Sequence, residues 1–266
     1  IFLTIIFFIS LATVGIETSR FNKLISEKIT KAKNIDIKLN TIKFKLDPKE
    51  LSLFLETSEP SINYRNLEIP ANYVKVYIDF LSLLKTNLKI EKISLNLNEL
   101  NIRQLNQLSK IIKPSNLKSF LNNKVLKGKL ISEIEFFLND IGEVKNYIAK
   151  GSIKDLEANL LNDLNLSKIN LNFFADKEDI LLKNISGNIL DIVITNGDAK
   201  LNLEKGIELN SNFDSQIDIE GKTFVKFSKI FSNYNFINKI KSIDGKFSNS
   251  FSLYFDKTYK LKKYNY

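Results

Sequence analysis

Asp155, Glu157, Asp176, Glu178 and Asp179 are the residues of this sequence whose type and spacing come nearest to catalysis. Paired carboxylates can divide acid and base work between them, as in glycoside hydrolysis, where one protonates the leaving group and the other attacks or activates water. These five fall in turn-like polar clusters with no accompanying signature of a site, so surface and turn charge is the better reading. The chain has no cysteine and no histidine. It therefore carries no thiolate nucleophile, no histidine base and no zinc site of the usual nitrogen and sulfur ligands. No catalytic residue, metal or cofactor is assigned, and a function without bond chemistry is expected.

The charge points elsewhere. With 39 Lys and Arg against 30 Asp and Glu, the net charge of +9 favours anionic surfaces, either phospholipid headgroups or nucleic acid. Its distribution argues against nucleic acid: Lys43, Lys45, Lys75 and Lys89 alternate with apolar residues, as on a solvated sheet face, and no Arg-rich run or glycine-aromatic RNA motif occurs. Heavy use of Asn, Lys and Ile suggests an AT-rich genome. There is no methionine, even at position 1, which is expected of a chain that has lost its natural start.

The elements that carry these residues are mostly strands. In "YVKVYIDF", Val74, Val76, Ile78 and Phe80 lie on one side of an extended chain and Tyr73, Lys75, Tyr77 and Asp79 on the other. The same alternation runs through "IKFKL" (Ile42, Phe44, Leu46), "LSLFL" (Leu51, Leu53, Leu55) and "ISLNL" (Ile93, Leu95, Leu97). Between Ile35 and Ile102 the separators read as "DPKE", "TSEP", "IPAN" and "LLKTN", which gives an antiparallel meander. The parity of Ile35, Ile37 and Leu39 is opposite to that of Ile42, Phe44 and Leu46, so a turn or bulge belongs near Asn40 and Thr41.

Other segments break this pattern. Residues 1–16 run without a charge and read as a partial transmembrane anchor, with a secretory signal core as the alternative. Residues 17–34 read as an amphipathic helix, lying on a sheet end or on the bilayer surface. Residues 103–123 place Leu105, Leu108 and Ile112 at helical spacing, break at Pro114, and resume with Leu117, Phe120 and Leu121. The remainder, 124–266, returns to strands, with turn signals in "NDIGE", "KG", "ADKED", "SGN", "NGD" and "EKG" and a spacing of about ten residues. Residues 223–241 are ambiguous between helix and strand.

A long meander with one apolar face must fold onto a second sheet, close into a barrel, be covered by helices or leave a trough for something else. The expected helical content is too small to cover it. A closed β-sandwich is the ordinary solution, but makes no use of the anchor.

The order of an N-terminal apolar segment, "IETSRFNKLISEKITKA", "IKFKLDPKELSLFL" and "IPANYVKVYIDFLSLLKTNLKIEKISLNLNELNI" resembles the start of the AsmA-like family, which includes the TamB and YhdP types. The most specific piece is "LSLL", a short polar turn and "LKIEKISLNLNELNI". The stretch from "KGSIKDLEANLL" to "AKLNLEKG" resembles the repeated strand-and-turn body of YhdP-type members. Where family members often carry a turn glycine this chain has "KTN", and full members are commonly much longer.

The resemblance implies a mainly β fold: a long antiparallel meander curved into an open groove, a β-taco of chorein type, with an N-terminal membrane helix and a short helical insertion. The groove would run through 35–102 and 124–266 on either side of the insertion. It further implies a bacterial inner-membrane protein with a periplasmic body that conducts phospholipids towards the outer membrane. Its partners would be acyl chains, the membrane and envelope proteins at the distal end. The expected lining is Ile42, Phe44, Leu46, Leu51, Leu53, Leu55, Val74, Val76, Ile78, Phe80, Leu95 and Leu97, then Leu171, Phe173, Ile192, Ile194, Leu201 and Leu203. The alternative is an assembly factor for outer-membrane proteins that pairs its strand edges with a client strand.

Overall fold

The computed structural model describes residues 2–18, 35–38, 40–50, 52–64, 67–79, 89–110, 116–161, 164–190, 192–203, 206–220, 241–256 and 261–265. They form one long antiparallel sheet that is open and not closed into a barrel. Its strands are β1 (Ile16–Glu17), β2 (Ile35–Lys38), β3 (Ile42–Asp47), β4 (Ser52–Ser58), β5 (Ser61–Tyr64), β6 (Leu67–Ile78), β7 (Ile90–Leu97) and β8 (Leu100–Asn101). After the helices come β9 (Val125–Leu138), β10 (Val144–Leu161), β11 (Leu164–Ala175), β12 (Asp179–Ile189), β13 (Ile192–Asn202), β14 (Ile207–Glu220), β15 (Ser242–Phe255) and β16 (Leu261–Asn265). Among the described residues the helices are α1 (Phe2–Thr13), α2 (Ile102–Ser109) and α3 (Asn116–Asn123).

Two compact units are separable: Ile1–Glu99 with Ser132–Ala149, and Leu100–Ile131 with Lys150–Tyr266. In the first, β4 pairs with β3 and β6, and β6 with β7. The expected break near Asn40 is present. Strands β2 and β3 are interrupted there, and beside them β4 and β5 are interrupted at Glu59, whose φ is 47°. The Asn40 amide donates to the carbonyls of Glu59 at 2.9 Å and Ser58 at 3.4 Å, tying the two interruptions together.

Several expected boundaries move. "IPAN" is no separator, since Ile69–Asn72 lie inside β6. Pro70 is tolerated because it faces the end of β7: its carbonyl accepts from the Asn98 N–H just past Leu97, and the β6–β7 ladder runs from Ala71 onward, so the missing N–H breaks no bond within it. In the second unit "KG", "SGN" and "NGD" also lie inside strands, in β10, β12 and β13. Glycine in a strand marks a bulge or a close backbone approach as readily as a turn, and both β11–β12 and β13–β14 change register near these residues. The strands are accordingly longer than the ten-residue spacing allowed.

The N-terminal segment forms a helix of 12 residues, and no helix among the described residues is long and apolar enough to cross a membrane. Glu17 belongs to β1, which pairs with β3, and not to a helix. The remainder of the expected amphipathic helix, from residue 19, lies outside the described residues, as do 223–240 of the ambiguous stretch. The helical insertion is present as α2 and α3. Asn101 caps α2 reciprocally with Gln104, each side chain accepting from the other's backbone N–H. Ser109 joins the helices, its hydroxyl donating to the Asn106 carbonyl at 2.8 Å and to Asn122 Oδ1 at 3.1 Å.

Candidate functional site: the apolar sheet faces

Cross-strand partners share a face, so the register assigns every side chain. In the first unit Phe44 pairs with Leu55 and Leu46 with Leu53; Leu53, Leu55 and Thr57 then pair with Ile78, Val76 and Val74. Val74 and Val76 continue to Leu95 and Ile93, and these to Ile134 and Phe136. One face thus gathers Ile42, Phe44, Leu46, Leu53, Leu55, Val74, Val76, Ile78, Leu95 and Leu97. Leu51 and Phe80 lie outside the described residues. The same face also takes Ile90, Ile134 and Phe136, which the expected lining lacked.

The apolar contacts run laterally along the sheet. Ile42, Leu55, Val76 and Ile78 form one buried cluster, with Phe44, Val74 and Ile90 against it. All belong to β3, β4, β6 and β7, which are neighbours in the sheet.

The opposite face of this unit is a layer of paired charges and rings. Lys45 Nζ lies 2.6 Å from Glu56 Oε1, and Lys75 Nζ 3.9 Å from Glu56 Oε2. Lys92 Nζ contacts both Glu50 oxygens at 2.8 Å and sits 4.0 Å above the Tyr77 ring. Phe54 and Tyr77 stack at 5.3 Å. Phe54, Tyr77, Lys92 and Ser94 are all buried. Burial, and the negative charges of Asp47 and Glu50, push the Tyr77 hydroxyl far above the usual phenol range.

In the second unit the alternation is regular. On β14, Ile207, Leu209, Ser211, Phe213, Ser215, Ile217 and Ile219 are buried or half-buried, while Glu208, Asn210, Asn212, Asp214, Gln216, Asp218 and Glu220 are exposed. The pairing of β14 with β15 runs without a register shift from Ile207–Phe255 to Glu220–Ser242. Following the register across the sheet places Leu171, Phe173, Ile192, Ile194 and Leu201 on the apolar face. Leu203 follows β13, is 37% exposed and donates its N–H to the Glu178 carbonyl. Leu182, Leu209, Phe213, Ile217, Ile219, Ile243 and Phe251 share the face and were missing from the expected lining. Their alternation was readable in 207–219 and 243–253, but serines and Asn249 interrupt it. Ile219 is buried against Ile192, Ile217 and Ile243, again side by side within the sheet.

Three of the five carboxylates considered first have structural partners. Asp176 Oδ1 accepts from the N–H groups of Glu178 and Asp179 at 2.8 and 2.9 Å, and those bonds hold its carboxyl below the usual range. Asp179 pairs with Lys200 at 2.7 Å and Glu157 with Lys127 at 3.4 Å. On the outer face a shallow depression of about 280 Å³ is lined by Asn196, Asp198, Asn212, Asp214, Ser248 and Ser250. Asp198 is bound to Lys183 there, and Asp214 to the Ser248 hydroxyl.

Comparison with known proteins finds no match to a family model, a curated protein or a solved structure.

Proposed function

We propose that this chain shelters phospholipid acyl chains on its apolar sheet faces and passes them between membranes, in the manner of the AsmA-like proteins its sequence resembles. In this reading the open sheet curves into a groove, α1 anchors it in a bacterial inner membrane, and the body lies in the periplasm with envelope proteins at its far end. The observation that carries the reading is an open sheet whose apolar clusters are formed by adjacent strands within each unit. Each methylene sheltered from water contributes about 0.8 kcal/mol, so a partly seated acyl chain is held well, and a lining without deep polar traps lets it slide. No covalent bond changes.

The test is lipid capture by the purified chain. Photocrosslinkers at the half-buried Phe173 and Leu201 should attach to labelled phospholipid, and fluorescent lipid should move between vesicles faster in its presence. Protein-only adducts with no copurifying lipid would overturn the reading.

A second reading, assembly of outer-membrane proteins by strand pairing, is favoured by the edge of β15. Among the described residues β16 pairs with β15 only along Ser252–Phe255, at one end of that strand. Binding of an unfolded barrel strand by a chain that takes up no lipid would select it.

A further inference from the structure

Two apolar features of the first unit lie at the same end of its sheet. The first is α1. Phe2, Leu3, Ile5, Ile6, Phe7, Phe8 and Ile9 are all exposed, so the helix is oily on every side instead of along one stripe. A helix apolar all round belongs in the core of a large protein or in a lipid interior, and one left exposed on every side by its own unit suits the second. The second is the turn between β9 and β10, whose tip residue Ile141 is 78% exposed, with Val144 beside it at 53%.

Register places the two together. Leu46 pairs with Leu53, Leu53 with Ile78 and Ile78 with Ile90, and Lys92 pairs with Phe137 two positions further in. The Asp47 end of β3, the Ile78 end of β6, the start of β7 and the β9–β10 turn therefore form one edge of the unit. Lys89 Nζ reaches Asp140 at 2.6 Å and pins the turn to the start of β7. The turn is itself ordered, because Asn139 Oδ1 accepts from the N–H groups of Ile141 and Glu143.

The helix is joined to that edge without slack. It ends at Thr13, and β1 begins at Ile16, already paired with Phe44. Between them Gly15 has φ of 77°, and a β-carbon there would lie 2.6 Å from Lys45 Cγ and 2.9 Å from the Phe44 carbonyl oxygen. A side chain fits neither the backbone conformation nor the space.

We propose that this end of the first unit is a docking surface for a lipid bilayer, entered by α1 and touched a second time by Ile141 and Val144 at the tip of the β9–β10 turn. The proposal rests on the membrane association of the preceding reading but not on lipid transfer. Two points of contact fix the sheet's attitude to the bilayer where α1 alone would leave it free to swing.

The cysteine-free sequence makes the test direct. Three variants of the full chain, Phe7→Cys, Ile141→Cys and Glu59→Cys, are labelled with an environment-sensitive fluorophore and mixed with phosphatidylcholine–phosphatidylglycerol vesicles bearing brominated acyl chains. Glu59 lies past the far end of β4, away from that edge. Quenching of the first two labels by severalfold, with the third unchanged, is the expected result. Quenching at Phe7 alone overturns the second contact while leaving the membrane reading intact. Absence of quenching at Phe7 and Ile141 overturns both, whatever lipid the sheet binds elsewhere.

Discussion

The two units use the same antiparallel ladder and bury it differently. In the second, the outer face of β14 is left to water: every residue from Glu208 to Glu220 at even positions is exposed. In the first, the polar face is itself buried, and Phe54, Tyr77 and Lys92 are each less than 9% exposed. A buried charge must be paired, and here Glu50 and the Tyr77 ring do so for Lys92. An exposed pair such as Lys183–Asp198 is screened by solvent and holds little. The lesson is that alternation specifies which residues share a face, whereas the surroundings decide what each polar residue is worth.

That contrast can be broken by substitution. The largest effect is expected at Gly151, whose missing side chain admits the Ile131 carbonyl of the neighbouring strand. Gly151→Val should cost about 3 kcal/mol or more, because backbone must move to make room, seen as a lowered urea midpoint. Leu55→Ala, at the centre of the first unit's cluster, should cost about 3 kcal/mol through the cavity it leaves. Lys92→Ala should cost about 2 kcal/mol by removing a buried stem and its contact with Tyr77. Lys183→Ala in the second unit should cost no more than about 0.5 kcal/mol, and equal losses for the two lysines would erase the distinction drawn above.

The smallest effect is confined to alkali. The Tyr77 hydroxyl holds its proton more tightly folded than unfolded, so the stability it contributes is complete below about pH 10 and is lost as the pH climbs towards the raised folded value. Burial raises Tyr73 as well. Urea midpoints compared between about pH 9 and pH 11 should fall in the native chain and fall less in Tyr77→Phe.

Much of this architecture could be read from residue order. The alternation in "IKFKL" and "YVKVYIDF" gave β3 and β6 their faces, and the parity change located the interruption at Asn40. The spacing of Leu105 and Leu108 marked α2, while its capping pair, Asn101 and Gln104, went unread. The burial of Lys92 and Tyr77 was hidden, because period two says nothing about whether the polar side is covered. Gly187 and Gly197 misled for a related reason: a local residue type cannot tell a turn from a bulge, and only the partner strand decides. The lining lacked Phe213 and Phe251 because Ser211, Ser215 and Asn249 share their face and interrupt the run of apolar residues.

The interruption shared by β2–β3 and β4–β5 behaves as a crease. Four short strands end or begin at one level, where the Asn40 amide bridges to Ser58 and Glu59 and the Glu59 N–H donates to the Asn72 carbonyl of β6. Among the described strands β6 runs unbroken past this level and pairs with both β4 and β5, so force applied to β2 and β5 is passed to β3 and β4 through it. This strand is the spine from which the neighbouring flap hangs.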